Sequence, residues 1–426
     1  MPTRPTVLLA ASKWWPLAAR LAVALDRQGC EVQALCPAHH LLEAVPAVRK
    51  TYRYGARDSL GSLRCALERA RPDLIVPCDD GVSAQLHALH ARDAAQRPLI
   101  ERSLGPPESY PVIDGRFELL SLADELGIRV PRHRRITAAA ELADWHDEVS
   151  PVAVVKVDGE AGGNGVCISR NLADSIAAFE RFRAPPGALM ALKRAHIDRD
   201  PLASWGRSQT SRRAVSVQAF VPGRPANSML ACWRGKLLGI VSVAVVVADG
   251  PTGVASVVRV INDDRMRGAA ELLAARLRLS GFYGLDFIIE SGSDLPYLIE
   301  MNPRCTQLGH LEIPRSCSLA GALAAALMDR PPAMATQPLR SDLVALFPQA
   351  LRAGDAVWPY VASGHHDVPD DANLRRELSR DIWPRRRWIS RLYHAFHVPL
   401  RPEPALFEGL EAVAAKPVER KTRSVA

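Results

Sequence analysis

The stretch YLIEMNPRCTQLGH, Tyr297 to His310, starts as an apolar strand and then sets Glu300, Asn302 and Arg304 at alternate positions. Side chains alternate across a strand, so Glu300 and Asn302 share one face. Leu298 is expected on that same face, with Ile299 and Met301 on the other. Upstream, FYGLDFIIE is joined to PYLIEMN by SGSDL, which reads as a hairpin. A turn centred on Ser293 sets Asp286 opposite Glu300 and Gly284 opposite Asn302. Two carboxylates so placed repel each other unless a cation lies between them. Mg²⁺ suits such a pair, because it takes hard oxygen ligands from a few carboxylates and from substrate phosphates. Asn302 adds a neutral oxygen, and Arg304 adds a fixed positive charge suited to an anionic transition state.

Two further pieces lie upstream. Lys156 sits among Val154, Val155 and Val157 in the strand PVAVVKV, directly before the loop DGEAGGNG with Gly159, Gly162, Gly163 and Gly165. Glycines let backbone N–H groups turn inward around phosphate oxygens, and a neighbouring lysine adds a point charge. No G-K-[ST] follows, so this is not a Walker A loop. The third piece is VQAFVPGRP, a strand through Gln218, Ala219, Phe220 and Val221 that runs into a Pro-Gly turn. It reads as a hinge whose backbone meets an adenine edge, or as an ordinary strand exit.

Around these pieces the chain is ordinary globular material. Its 426 residues are 48% hydrophobic and 23% charged, with a formal charge of +8. A basic balance suits anionic ligands, nucleic acid or anionic membranes without choosing among them. Only seven of the 54 basic residues are Lys, which makes each one worth examining. Eight cysteines without C-x-x-C pairs or His-Cys clusters read as reduced thiols. The N-terminal apolar run is too short for a signal peptide, and LLGIVSVAVVVA is too short to span a bilayer and reads as buried strand. A cytoplasmic protein is expected.

The first hundred residues alternate strand and helix: TVLLAA, Pro16 to Arg27, EVQALCP, Leu60 to Arg71, and DLIVPC ending at Asp79-Asp80. This is the grammar of a parallel βαβ sheet. The first βα turn, AASKWWP, holds no glycine, which disfavours a nicotinamide enzyme.

In this order the pieces resemble the ATP-grasp superfamily, over residues 1 to 330. LIEMNPR is the most specific part. The resemblance implies an α/β and α+β chain: an N-terminal parallel βαβ domain over 1–106, then a two-subdomain ATP-grasp fold over 107–335. A glycine-loop lid subdomain would span about 135–220, and a C-terminal extension 336–426. It implies ATP and Mg²⁺ (or Mn²⁺) as cofactors. Lys156 would bind the α/β phosphates, and the loop through Gly162, Gly163 and Gly165 would close on the β/γ phosphates. Backbone at Ala219 to Val221 would read adenine, while Asp286, Glu300 and Asn302 would hold the metal. Arg304 would stabilise the transferring group. Two positions depart from the family. Asp114-Gly115-Arg116 replaces its Asp-Lys, making Arg116 the stand-in nucleotide contact, and Gln218-Ala219 replaces its hinge glutamate. The implied chemistry is ADP-forming activation of a carboxylate as an acyl-phosphate, then transfer to an amine or, less often, a thiol. A carboxyl- or carbamoyl-phosphate enzyme and a non-catalytic ATP-binding regulatory protein are the alternatives.

Other residues carry weaker expectations. Asp79 and Asp80 read as helix caps sooner than substrate contacts. Lys13, Trp14 and Trp15 read as pocket lining or packing, His39 and His40 as surface residues, and His310 as a remote substrate contact. The segment DIWPRRRWISRLYHAFH, Asp381 to His397, is basic and aromatic. It reads as a contact for an anionic surface or nucleic acid, or, since Trp388, Leu392 and Phe396 recur every four residues, as a helix packing that stripe on the core, which is the preferred reading. Residues 416–426 read as a disordered tail. The expected partners are a small carboxylic acid and an amine, with no nucleic acid and no membrane; a homodimer is open.

Overall fold

The computed structural model describes residues 4–159, 165–184, 192–198, 200–203, 205, 214–250, 252–314, 316–335, 338–354, 357–380, 388–396 and 405–407. Gly162, Gly163, most of the polar insertion over 203–213 and the tail over 416–426 lie outside them.

Strands β1 (Thr6–Ala10), β2 (Glu31–Cys36), β3 (Val48–Arg53) and β4 (Leu74–Pro77) form a parallel sheet in the order β3-β2-β1-β4. Helices α1 (Pro16–Arg27) and α2 (Ser59–Ala70) alternate with the strands, and α3 (Asp80–Arg92) follows β4. The expected βαβ grammar is present. Strand β3, half exposed and basic, has no apolar alternation to announce it. Asp79 caps α3 by accepting from Val82 N at 3.1 Å.

Helices α4 (Arg97–Leu104), α5 (Tyr110–Asp114) and α6 (Arg116–Glu125) lead to an antiparallel sheet, β5-β8-β6-β7. Its strands are β5 (His133–Ile136), β6 (Ala153–Val157), β7 (Val166–Ser169) and β8 (Val215–Ala219); α7 (Glu141–Glu148) and α8 (Leu172–Arg183) cover one face. Trp145, Phe179 and Phe182 pack there on Val155, Val157, Val215 and Val217 as a small separate core.

The remaining strands build a wide sheet in the order β13-β12-β9-β10-β11-β14-β15. They are β9 (Gly223–Trp233), β10 (Lys236–Ala248), β11 (Ala255–Ile261), β12 (Gly281–Glu290), β13 (Pro296–Asn302), β14 (Leu343–Ala345) and β15 (His365–His366). Short β16 (Ala405–Leu406) pairs on β10. Helices α9 (Asp264–Arg276), α10 (Leu319–Leu327), α11 (Gln349–Arg352), α12 (Trp358–Ser363), α13 (Ala372–Ser379) and α14 (Trp388–Phe396) complete the described elements. The run LLGIVSVAVVVA is β10, buried from Val243 to Ala248. The parallel and wide sheets share two apolar cores. Val7, Leu9 and Val32 meet Met229, Ala231 and Val243 in one, and Leu8, Ala10 and Ile75 meet Leu230, Leu285 and Leu298 in the other.

The chain passes from the four-stranded sheet to the wide one at Phe220 to Pro222, between β8 and β9. Gly223 opens β9 where a Cβ would lie 2.1 Å from Ile289 O, so only glycine permits this approach to β12.

Two expectations change here. His40 is buried, not on the surface: its Nε2 lies 3.0 Å from Lys13 O, and its Nδ1 accepts from Leu42 N. Burial lowers its pKa to about 4, so the ring is a neutral structural piece. In α14 the apolar stripe does not pack on the core. Trp388 is 74% exposed, Leu392 53% and Phe396 78%. The helix instead turns Tyr393 inward, toward Lys193.

Candidate functional site

The hairpin β12–β13 has the expected register, with Asp286 opposite Glu300 and Gly284 opposite Asn302. Its turn places Gly292 and Asp294 at positive φ. Beyond Asp286 the register slips by one residue, leaving Ile299 as a bulge. The slip reverses the phase of the strand. Leu298 and Met301 therefore enter the same core, and Leu298 does not share the face of Glu300 and Asn302. The bulge also frees Ile299 O, which accepts from Lys156 Nζ at 3.1 Å.

Asp286 accepts from Asn302 Nδ2 at 3.0 Å and from Asn227 Nδ2 at 2.6 Å. Burial, and then the Glu300 charge, push its carboxyl above the usual range. Asn302 Oδ1 accepts from Arg304 Nη2 at 2.9 Å, and Arg304 Nε donates to Asp80 Oδ1 at 2.8 Å. Burial alone would lower the Arg304 pKa; Asp80 and Asp286 outweigh it and raise it. The end of β4 is tied to the same strand exit, since Ser83 Oγ donates to Pro303 O at 2.6 Å. Asp79, behind it, accepts from Ser12 N and Oγ at 2.6 and 2.7 Å, which fixes the β1–α1 turn against the β4 end.

The four-stranded sheet faces this hairpin with its second side. Lys156 pairs across strands with Ser216, and Val154 with Gln218. Val155, Val157, Val215 and Val217 point the other way into the small core, so Lys156, Ser216 and Gln218 share the opposite face. Lys156 is 3% exposed, and burial lowers its pKa to about 8 despite the nearby Glu300. Ser216 Oγ and Gln218 Nε2 are buried with no hydrogen-bond partner among the described residues. Val157 N donates to Gly165 O at 3.0 Å, closing the base of the glycine loop.

Arg116 is the link between the sheets. Its Nη2 donates to Glu300 Oε1 at 2.7 Å, its backbone N donates to Asp158 Oδ1 at 3.2 Å, and its Nη1 donates to Val157 O. Burial would lower this guanidinium, but Glu300, Asp158 and Asp80 hold it above its usual value. The sequence-derived set Arg116, Lys156, Asp286, Glu300, Asn302 and Arg304 therefore converges between the two sheets.

The hinge residues are differently placed. Ala219 N donates to Arg132 O at 2.8 Å and Phe220 N to Val152 O at 3.3 Å, so both amides are engaged. Ala219, Phe220 and Val221 border a cavity of about 520 Å³ with Tyr297 and Glu290, at the turn end of the hairpin. His310 is held elsewhere: its Nε2 lies 2.7 Å from Asp367 Oδ2, and Asp367 also pairs with Arg20. Asn227 and Ser216 escaped the sequence reading. Each is one polar residue in a strand, and only long-range pairing brings it to the site.

Asp286, Glu300 and Asn302 fit a hard cation that keeps open positions for phosphate. Two carboxylates and an amide are too few for a closed protein cage, and among the described residues no group of three or more His, Cys, Asp or Glu could hold a metal. The two unpartnered polar atoms beside Lys156 fit a polar ligand such as a nucleotide.

No protein-family model and no curated protein matches the chain. Solved structures do. N5-carboxyaminoimidazole synthase from Aspergillus clavatus, in complex with ADP and 5-aminoimidazole ribonucleotide, aligns with TM-score 0.57 at 14% identity, covering 79% of this chain and 80% of that one. The biotin carboxylase domain of Hydrogenobacter thermophilus 2-oxoglutarate carboxylase, with MgADP and bicarbonate, aligns with TM-score 0.55 at 14% identity, covering 80% and 71%. Biotin carboxylase from Campylobacter jejuni gives 0.55 at 13%, covering 78% and 72%. At these identities the likeness shows the fold.

Proposed function

We propose, from the premise that the chain has an ATP-grasp fold, that it is an ADP-forming ligase. ATP would lie between the two sheets, a carboxylate would be activated as its acyl-phosphate, and an amine would displace phosphate. The observation that carries this reading is the convergence of Lys156, Arg116 and Arg304 on the Asp286–Glu300–Asn302 hairpin. In-line phosphoryl transfer needs positioning and charge neutralisation more than covalent chemistry. Lys156 and Arg116 supply the charge for the phosphates. Asp286 and Glu300, with the Asn302 oxygen, are the donors for Mg²⁺, which neutralises phosphate charge when bound. Glu300 is held by Arg116, so in this reading the guanidinium moves toward the phosphates as the carboxylate takes up metal. Arg304, steered by Asp80, sits at the strand ends of the parallel sheet, where open α/β sheets hold substrates. That end, bordered by Ser12 and Lys13, is the place for the acid. The glycine loop with Gly162, Gly163 and Gly165 would cover the phosphates and exclude water from the acyl-phosphate.

A second acid is favoured by the structural neighbours. One is named for a carboxyaminoimidazole, and the other is a biotin carboxylase domain that holds bicarbonate. Bicarbonate is therefore the first single acid to try.

The test is hydroxamate formation by the full chain with Mg-ATP, hydroxylamine and pools of carboxylic acids, with ADP followed alongside. Hydroxamate with equal ADP identifies the acid. Bicarbonate gives no stable hydroxamate, so bicarbonate-stimulated ADP release is measured separately. AMP with pyrophosphate as the products would overturn the reading.

A further inference from the structure

Residues 200–203 belong to the insertion between α8 and β8, far in sequence from the parallel sheet, and yet they bury against it. Pro201-Leu202-Ala203 is a short apolar run directly after Asp200. All three are buried, and Leu202 is 4% exposed. Asp200 builds the turn that presents them. Its Oδ1 accepts from Leu202 N at 2.8 Å, and its Oδ2 accepts from Arg194 Nη2 at 2.7 Å and Nε at 3.1 Å. The Asp200 carboxylate is therefore engaged within the insertion, and the leucine is what the insertion offers to the sheet.

Leu202 joins the core of Leu8, Ala10, Tyr54 and Val82. It abuts Gly81 in the first turn of α3. A Cβ on Gly81 would lie 2.3 Å from Leu202 Cδ1 and 3.3 Å from Asp79 Oδ1. Asp79 is the carboxylate that holds Ser12, and Asp80, the next residue, holds Arg304. The tip of the leucine thus lies at the corner where Ser12, Asp79 and the Arg304–Asp80 pair meet, beyond the carboxyl end of β4. In open α/β sheets that crevice takes ligand. Here a protein side chain occupies part of it. The corner also offers an extended ligand little polar recognition, since Asp79 and Asp80 already accept from protein donors.

We infer that Leu202 is a specificity-determining residue: it closes the crevice beside Arg304 and restricts the activated acid to a short carboxylate. This inference rests on the ligase reading and on the placement of the acid beside Arg304.

The test measures Mg-ATP-dependent ADP release by the full chain, with hydroxylamine as the amine. Wild type is compared with Leu202→Ala and with the milder Leu202→Val. The acids are bicarbonate, the straight-chain carboxylates from formate to hexanoate, the series from glycine to norvaline, and any acid found in the pools together with its longer homologues. Wild type should favour the short members. Leu202→Ala should raise the kcat/KM ratio of long to short acids at least about tenfold, and Leu202→Val by less. A merely structural leucine would lower the melting temperature and leave that ratio unmoved, which overturns the inference. A wild type that prefers the longest acids overturns it too. ADP released with one acid profile by all three proteins leaves the ligase reading standing and removes this inference alone. No acid-dependent ADP from any of them removes both. The contact itself has a check without turnover. Gly81→Ala should lower the melting temperature in the wild type and lower it less in Leu202→Ala, where the added methyl meets the vacated space. Equal losses in the two backgrounds would remove the leucine from this corner and overturn the inference.

Discussion

On the wide sheet, Asp286, Glu300, Asn302 and Arg304 each already hold a partner, down to the Arg304–Asp80 pair. On the sheet opposite, Ser216 and Gln218 carry buried polar atoms with none among the described residues, and Lys156 is a buried ammonium with its pKa pulled down to about 8. An unmet buried polar group costs about 1–3 kcal/mol, so the second surface carries a cost that the first does not. A ligand that satisfies both atoms and raises the Lys156 pKa recovers that cost. Under the proposed function, the wide sheet is preassembled machinery and the facing sheet is the part whose stability waits on nucleotide.

The largest expected effect tests the preassembled side. Glu300→Gln keeps an acceptor for Arg116 but removes the charge that would balance a divalent cation. Mg²⁺-dependent ADP formation should fall at least about a thousandfold, while the melt stays cooperative. Turnover near the wild-type rate would remove the hairpin from the chemistry. Lys156→Ala comes next. Nucleotide affinity by calorimetry should drop about a hundredfold, and an unchanged Kd would end the assignment of this lysine to phosphate.

Gln218→Leu sharpens the contrast, because the two effects should have opposite signs. Removing an unmet buried amide should stabilise the ligand-free protein by about 1 kcal/mol. The same change should weaken ADP binding by about tenfold. A variant that is less stable without ligand would mean that the Gln218 amide has a partner after all.

These regions also differ in how readable they were. The hairpin was legible because alternation and a short turn fix a local register, so Asp286 met Glu300 as expected. The phase of Leu298 was not legible, since the bulge at Ile299 arises where Asp286 is pinned by Asn227 on a third strand. Ser216 and Asn227 leave no local pattern to read. Arg116 was assigned by resemblance to nucleotide, and in this structure its guanidinium rests on Glu300. The stripe in α14 shows the limit most plainly: helical spacing announces an apolar face and says nothing about what covers it.

The smallest expected effect concerns the Lys156 proton, and it tests both surfaces together. Its folded pKa, about 8, lies below the ordinary lysine value of 10.5. Below about pH 8 the amine is charged in both states, and burial costs the fold its full penalty, about 3 kcal/mol for a shift of this size. Between about pH 8 and 10.5 the unfolded chain binds more protons than the folded one, so stability rises with pH and the penalty disappears. Lys156→Met should abolish that rise and stabilise the neutral-pH, ligand-free protein. Phosphate favours the charged amine, so ADP affinity should move the other way, falling a few-fold from about pH 7 to about pH 8.5. Calorimetry of ADP binding near pH 8.5, in buffers of different ionisation enthalpy, should show net proton uptake in the wild type and none in Lys156→Met. Equal uptake by both proteins would mean that another group takes the proton, and that the buried ammonium is no part of what the nucleotide relieves.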